Sequence, residues 1–346
     1  MNKPSSRIVF RTDASPDIGG GHVMRCLSLA EAIAERGWSV SFATSPLTVE
    51  TLPALLQKPY EVLVVEGDET HFCAKVGEKY PLGIDVVVSD SYAISVEQEQ
   101  LWRPVSRSIA VIDDLANRQH ECDVLLDQNL GRMRESYTGL VPQLCKVLTG
   151  PHFALLRPEF ASARGVALGT RSARSTFTRL LISLGLTDGA GATLRVLDAI
   201  AAADYSLHVD VLIGGACPHL TAINIKAKTL PRPATVHVDI SDPLPLLIAA
   251  DACIGGGGSS AWERCCIGLP TLTVIVADNQ RFGTSHLVQA GAAYDLGSLE
   301  KLSDNSLAKA LDTISDQKVR ANMSLKAANI CDGLGAQRVA DILVAL

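Results

Sequence analysis

A chain of 346 residues is long enough for two domains of about 150 residues each. Its 47% hydrophobic and 20% charged residues describe an ordinary folded globular protein that can bury sizeable cores. The formal net charge of -6, with no basic stripe and no Lys/Arg tract interleaved with aromatics, argues against a nucleic-acid partner.

The first residues, Met1-Asn2-Lys3-Pro4-Ser5-Ser6, run directly into an apolar strand pattern without the apolar core of a signal peptide. No uninterrupted apolar run approaches the roughly 18 residues that a membrane helix needs. A cytoplasmic protein without stable membrane insertion is expected. The nine cysteines are scattered, odd in number and contain no C-x-x-C pair, so buried reduced thiols are expected in place of disulfides or zinc.

Strand and helix patterns alternate along the chain. In the first half, strands are expected at 7–10, 39–43, 62–65, 85–88, 108–112 and 124–126, with a weaker one at 146–148; helices include 23–35 and 96–103. In the second half, strands are expected at 179–183, 207–213, 235–238, 252–254, 271–276 and 292–295, with helices at 190–203 and 280–289. The strand runs are short and nearly continuously apolar, as in parallel sheets covered on both faces. Residues 157–179, rich in Ala, Arg, Ser, Thr and Gly with Glu159 their only acid, read as a linker. The expected fold is α/β, with two doubly wound Rossmann-like domains, 1–160 and 175–346, facing a cleft.

Two glycine clusters stand at strand ends. After the first strand come Asp17-Ile18-Gly19-Gly20-Gly21-His22-Val23-Met24-Arg25-Cys26. The following helix is marked by Val23, Leu27, Leu29, Ala30 and Ile33 at helical spacing and ends at Gly37. His22 is thereby set in a first helical turn at the carboxyl edge of a sheet, where open α/β sheets bind ligands. The helix N-terminus disfavours imidazolium, leaving a neutral ring able to accept a proton. Structural and catalytic roles remain about equally open for a histidine so placed. Gly21 offers a bare backbone beside it, Asp13 and Asp17 flank the loop as ligand or turn residues, and Arg25, one turn on, holds a pyrophosphate or pairs with an acid.

The second cluster is Gly255-Gly256-Gly257-Gly258-Ser259-Ser260-Ala261-Trp262-Glu263-Arg264-Cys265-Cys266. Gly257, Gly258, Ser259 and Ser260 at a helix N-terminus suit a diphosphate, and Glu263 stands where a carboxylate can reach a ribose. No Gly-Lys-Ser/Thr follows, so this is no phosphoryl-transfer loop of the Walker kind. A tight strand-to-helix turn is the alternative. Asn279 and Gln280 begin the next helix, as ligand contacts or, for Asn279, as an N-cap. Tyr92 follows a strand end and either touches the ligand or packs in the core. Asp113 and Asp114 are adjacent on one strand and point to opposite faces, so no metal site is expected there.

These motifs resemble one family. Gly19–Cys26 and Gly257–Pro270, with Asn279-Gln280 behind, are similar to the nucleotide-sugar hydrolases of the pseudaminic acid pathway, which act on UDP-2,4-diacetamido-2,4,6-trideoxy-β-L-altropyranose. Asp90-Ser91-Tyr92, Ile112-Asp113-Asp114, Leu126-Asp127-Gln128-Asn129, Gly150-Pro151 and Asp332-Gly333 extend the likeness along most of the chain. The family is in turn similar to inverting glycosyltransferases of the GT-B fold, including the one that adds N-acetylglucosamine to the lipid-linked peptidoglycan precursor. The resemblance implies hydrolysis of the anomeric C–O bond of a small-molecule UDP-sugar with inversion, without cofactor or metal. It makes His22 the base that activates water, and sets Ser259 and Ser260 on the leaving phosphate. A second assignment has His22 on the phosphate and Asp13 on the water.

One departure is visible. Where the family carries two adjacent glycines after the first strand of the second domain, this chain has Gly185-Leu186. A glycosyltransferase that uses an acceptor hydroxyl, and a nucleotide-binding protein without turnover, are the competing readings. Oligomeric state is left open.

Overall fold

The structure, a computed structural model, describes residues 6–202 and 207–346. The expected helix 190–203 ends at a residue outside the described ones, as do the first five residues of the chain. The chain divides into two compact units: Met1–Arg157 with Leu334–Leu346, and Pro158–Gly333.

The first unit runs β1 (Arg7–Thr12), α1 (Gly21–Ala34), β2 (Ser39–Thr44), α2 (Pro46–Thr51), β3 (Glu61–Val64), α3 (Glu69–Lys79), β4 (Ile84–Asp90), α4 (Val96–Gln100), β5 (Ser106–Ile112), β6 (Val124–Asp127) and β7 (Lys146–Thr149). Its seven strands lie in the order β3-β2-β1-β4-β5-β6-β7, all parallel. The order reverses direction between β1 and β4, which opens a crevice at their carboxyl ends. Ile8, Val9 and Phe10 of β1 have no solvent exposure, because helices cover both faces of the sheet. Phe10 stacks on Phe42 with ring centroids 5.1 Å apart. Helix α1 buries Val23, Leu27, Ala30 and Ile33 on one face. It stops where Arg36 and Gly37 turn their N–H groups back onto Ile33 and Ala34, with Gly37 at φ +80.

The second unit continues with α5 (Pro158–Ala173), β8 (Arg179–Ser183), α6 (Ala192–Ala202), β9 (His208–Ile213), α7 (Leu220–Thr229), β10 (Thr235–Val238), α8 (Leu244–Ala249), β11 (Ala252–Gly256), α9 (Ser260–Cys266), β12 (Thr271–Ile275), α10 (Gln280–Gln289), β13 (Ala293–Ser298), α11 (Asp304–Ser315) and α12 (Gln317–Ala328). Its parallel order β10-β9-β8-β11-β12-β13 repeats the first, with the reversal between β8 and β11. Both units are doubly wound Rossmann-like α/β domains.

Two expectations are corrected. The linker at 157–179 is largely the helix α5, which packs on α8, α9 and α12. It buries few apolar side chains and is held instead by arginines. Arg171 donates to the carbonyls of Ile267 at 2.9 Å, Ala250 at 2.7 Å and Leu247 at 2.6 Å. Arg164 donates to the carbonyls of Cys266, Cys331 and Ala328.

The domain expected to end the chain at 346 gives up its last helix, α13 (Gly335–Leu343), to the first unit. Ala336, Val339, Ala340 and Leu343 join the core that contains Ile8 and Phe10, and Arg36, just past the end of α1, pairs with Asp341. All nine cysteines are buried and free of disulfides.

Candidate functional site

In the first unit the site is built at the crevice between β1 and β4. Thr12 and Asp90 are partners at the ends of these two strands. The loop after β1 is closed by Gly19 N–H donating to Ser15 O at 2.8 Å, with Gly19 at φ +75, and α1 then starts from Gly20 as N-cap. His22 therefore lies on the first turn of α1, only 8% exposed, with its Nδ1 2.5 Å from Asp90 Oδ1.

Burial by itself would raise the Asp90 carboxyl; the Arg25 guanidinium and His22 outweigh it and hold that carboxyl well below the usual carboxylate range. An ionised carboxylate only accepts, so the proton of this contact sits on Nδ1 of His22. With the ring neutral, Nε2 is the acceptor nitrogen. Arg25 Nη2 also lies 3.2 Å from Nδ1, but with Nδ1 protonated two donors face each other there and no hydrogen bond forms.

Arg25 is 5% exposed and donates Nε to Asp90 Oδ2 at 2.7 Å, Nη2 to Asp90 Oδ1 at 2.6 Å and Nη1 to Asp114 Oδ2 at 3.1 Å. Its guanidinium is engaged by acids of the same unit, the second of the two roles open to it. Tyr92 donates its hydroxyl to Asp114 Oδ1 at 2.7 Å and sets its ring at 87° to that of His22, centroids 4.8 Å apart. Gly21 opens α1 beside His22.

Asp13 is placed differently. Its Oδ1 accepts from Ser45 N–H at 2.8 Å and from the hydroxyls of Thr44 and Thr48, both at 3.1 Å; Oδ2 accepts from Arg11 at 2.5 Å. Burial would raise this carboxyl, but Arg11 and the Ser45 hydrogen bonds hold it below its ordinary value. A carboxylate so engaged is a poor proton acceptor. Asp17 stands in the exposed part of the loop.

In the second unit the candidate site is the turn from β11 into α9. Gly255 and Gly257 are required by packing: a Cβ on Gly255 would stand 2.7 Å from Arg264 Cζ, and one on Gly257 would collide with Thr284 Oγ1. At Gly258 the nearest atom to such a Cβ is Gln280 Nε2 at 3.8 Å, so that backbone alone needs no glycine for packing. The Gly257 N–H donates to Gln280 Oε1 at 3.2 Å, and the same oxygen accepts from Val276 N–H at 3.2 Å. The Gly257 N–H is thus occupied within the unit, and Gln280 ties the turn to the end of β12. Arg264, 2% exposed, donates to Gly256 O at 2.5 Å and to Ser260 Oγ at 2.9 Å. Ser259 holds the N-cap position of α9 without a side-chain cap bond, and Glu263 is half-buried in its first turn. Asn279 occupies the N-cap position of α10, exposed, with no side-chain cap bond.

Beside this turn, the Gly185-Leu186 loop leaves β8, the strand whose Ser183 is the partner of Gly255. Leu186 keeps its side chain 38% exposed and accepts from Gly214 N–H on its carbonyl at 2.8 Å. Asp188 caps α6 by accepting from Ala192 and Thr193 N–H at 2.8 and 2.9 Å.

The sequence reading missed Asp90 and Asp114 as partners of His22 and Arg25, and Arg264 and Thr284 as the reason for two glycines. Position was the available signal for the acids: Asp90 ends β4, and Asp113-Asp114 follow β5 at the same edge. The two neighbours do diverge. Asp113 accepts from Ala116 N–H, Arg118 and Tyr137 at 2.8, 2.9 and 2.9 Å, while Asp114 serves Arg25 and Tyr92. Among the described residues no three His, Cys, Asp or Glu side chains are grouped as a metal site. No helix among them is long and apolar enough to cross a membrane.

No protein-family model matches the chain. It is 33% identical over 156 residues to the UDP-2,4-diacetamido-2,4,6-trideoxy-β-L-altropyranose hydrolase of Campylobacter jejuni, a match that covers 44% of this chain and 53% of the hydrolase. It therefore spans about half the length of that relative. It is 24% identical over 339 residues to the spore coat polysaccharide biosynthesis protein SpsG of Bacillus subtilis, covering 96% of each. Among solved structures it superposes on Acinetobacter baumannii MurG with a TM-score of 0.69 at 16% identity, covering 99% of this chain and 100% of that one. The fold is GT-B.

Proposed function

We propose that the protein is a UDP-sugar hydrolase that cleaves the anomeric C–O bond with inversion. The observation that carries the reading is the 2.5 Å contact between His22 Nδ1 and Asp90. On this reading the resting ring is neutral with Nε2 as its acceptor at the carboxyl edge of the sheet, the state a general base requires. In the reaction, water oxygen bonds to the anomeric carbon as the bond from that carbon to the β-phosphate oxygen breaks. The water proton passes to His22 Nε2, and Asp90 stabilises the imidazolium that forms. UDP leaves with the electron pair, so its departure needs donors for the growing negative charge and no general acid.

Ser259, Ser260 and the backbone of Gly258 are assigned to the diphosphate, and Glu263 to the ribose. Asn279 is assigned to the phosphate or sugar, with Tyr92 beside the sugar. Gln280, Gly257 and Arg25 support these groups from behind, and Asp13 shapes the loop that carries His22. Water as the nucleophile, and a UDP-linked diacetamido-trideoxy sugar as the substrate, are supported by the relation to the Campylobacter hydrolase. On this reading the protein works in the cytoplasm on a soluble nucleotide sugar, without cofactor or metal.

The test is to incubate the protein with UDP-2,4-diacetamido-2,4,6-trideoxy-β-L-altropyranose and no acceptor, following the anomeric proton and UDP by NMR. Free sugar appearing first as the inverted anomer supports the hydrolase. Intact substrate that is consumed only when an acceptor sugar is added would replace it with an inverting glycosyltransferase, in which the same His22 deprotonates a hydroxyl.

A further inference from the structure

We infer that Asp114 is a positioning residue that selects the His22 tautomer, acting through Arg25 and Tyr92. The inference rests on the reading of His22 as the base. Five side chains form a closed circuit. Asp114 Oδ2 accepts from Arg25 Nη1 at 3.1 Å; Arg25 grips both oxygens of Asp90 at 2.7 and 2.6 Å; Asp90 Oδ1 meets His22 Nδ1 at 2.5 Å. The circuit closes through Tyr92, whose ring stands edge-on to His22 and whose hydroxyl returns to Asp114 Oδ1 at 2.7 Å.

Each link has a separate job. The Asp90 contact fixes where Nδ1 lies but leaves the ring free to swing about that point; the perpendicular Tyr92 ring removes the swing. Arg25 is the hazard in the arrangement, because its Nη2 lies 3.2 Å from His22 Nδ1. If that donor were released toward the ring it would take the Nδ1 lone pair, moving the proton to Nε2 and abolishing the acceptor. Asp114 draws Nη1 the other way and keeps the guanidinium plane on Asp90. The anchor itself is fixed. The Asp114 carbonyl accepts from Asn129 Nδ2 and Arg132 Nη2, both at 3.1 Å, and its side chain is 16% exposed.

The experiment uses the full chain with 15N-labelled histidine, the His22 signals being assigned by their loss in His22→Asn. Wild type is expected to show the Nδ1–H tautomer. Asp114→Ala should populate the Nε2–H tautomer and lower kcat about ten-fold or more, with KM changing far less, as for lost transition-state geometry. Asp114→Asn keeps one acceptor and the side-chain shape, so it should fold and fall between the two. Wild-type His22 signals and a wild-type kcat–pH profile in Asp114→Asn and in a folded Asp114→Ala overturn the inference. If Asp114→Ala does not fold, unchanged His22 signals in Asp114→Asn overturn it alone. The spectra need no substrate, so a tautomer change without UDP-sugar turnover upholds the positioning role while the proposed activity falls.

Discussion

Thr12 and Asp90 are register partners at the carboxyl ends of β1 and β4, and that pairing delivers Asp90 to the helix that carries His22. His22 and Asp90 lie 68 residues apart in the chain, yet sheet order makes their strands neighbours. The dyad thus follows from the reversal of strand order, the place where such sheets form a ligand crevice.

If the two residues act as one base, their losses must not add. His22→Asn should lower kcat/KM by about 10²-fold or more, the usual worth of a general base, and Asp90→Asn by a comparable factor. The double variant should be no worse than the poorer single one, because the second change removes nothing still working. UDP affinity, read by calorimetry, should persist in His22→Asn. Additive losses would dissolve the dyad, and loss of UDP binding would make His22 a phosphate contact.

The strands were readable because parallel strands buried on both faces are near-continuous apolar runs. Val86, Val87 and Val88 of β4, each at most 1% exposed, are an example. The glycine clusters and His22 were readable from local pattern. Their partners were not, since Arg25 meets Asp114 across 89 residues and only the strand order joins them. Helix α5 escaped for another reason. Its burial rests on Phe160, Ala167 and Arg171, too few apolar positions to print a period. What holds it is guanidinium to carbonyl, a bond that hydrophobic periodicity does not record.

That docking predicts a large effect on stability from Arg171. Arg171→Met keeps the apolar stem but removes the donors to Leu247, Ala250 and Ile267. Ala250 keeps Arg174 as a donor, but Leu247 and Ile267 lose Arg171, and a buried carbonyl left unpaired costs about 1–3 kcal/mol, less whatever water recovers. Urea unfolding should show a loss on the order of 3 kcal/mol or more. A change below about 0.5 kcal/mol, the usual range for surface substitutions, would mean that α5 is held by something else.

The two central glycines of the β11 turn should respond differently to alanine. Gly257→Ala forces a methyl onto Thr284 and disturbs the Gln280 tie, an overpacking worth about 1–3 kcal/mol of stability. Gly258→Ala has room and should leave the melting temperature nearly unchanged. If the Gly258 backbone approaches a phosphate, the same variant should weaken UDP binding. A stable Gly258→Ala with wild-type UDP affinity would remove Gly258 from the nucleotide site.

The last expectation concerns pH. His120 is buried with Nδ1 2.8 Å from Glu99 Oε1 and Nε2 3.7 Å from Asp113 Oδ1. Burial would lower its pKa, but the neighbouring Asp113 and Glu99 carboxylates prevail and raise it from 6.5 to about 8. A histidine whose pKa is raised on folding adds stability that is complete below about 6.5, its unfolded value, and is lost as pH climbs through about 8. A shift of that size corresponds to about 2 kcal/mol. Urea unfolding at pH 6 and pH 9 should therefore show the wild type losing about this much more than His120→Gln, which cannot titrate. Parallel pH dependence in the two proteins would show that folding leaves the His120 pKa unchanged.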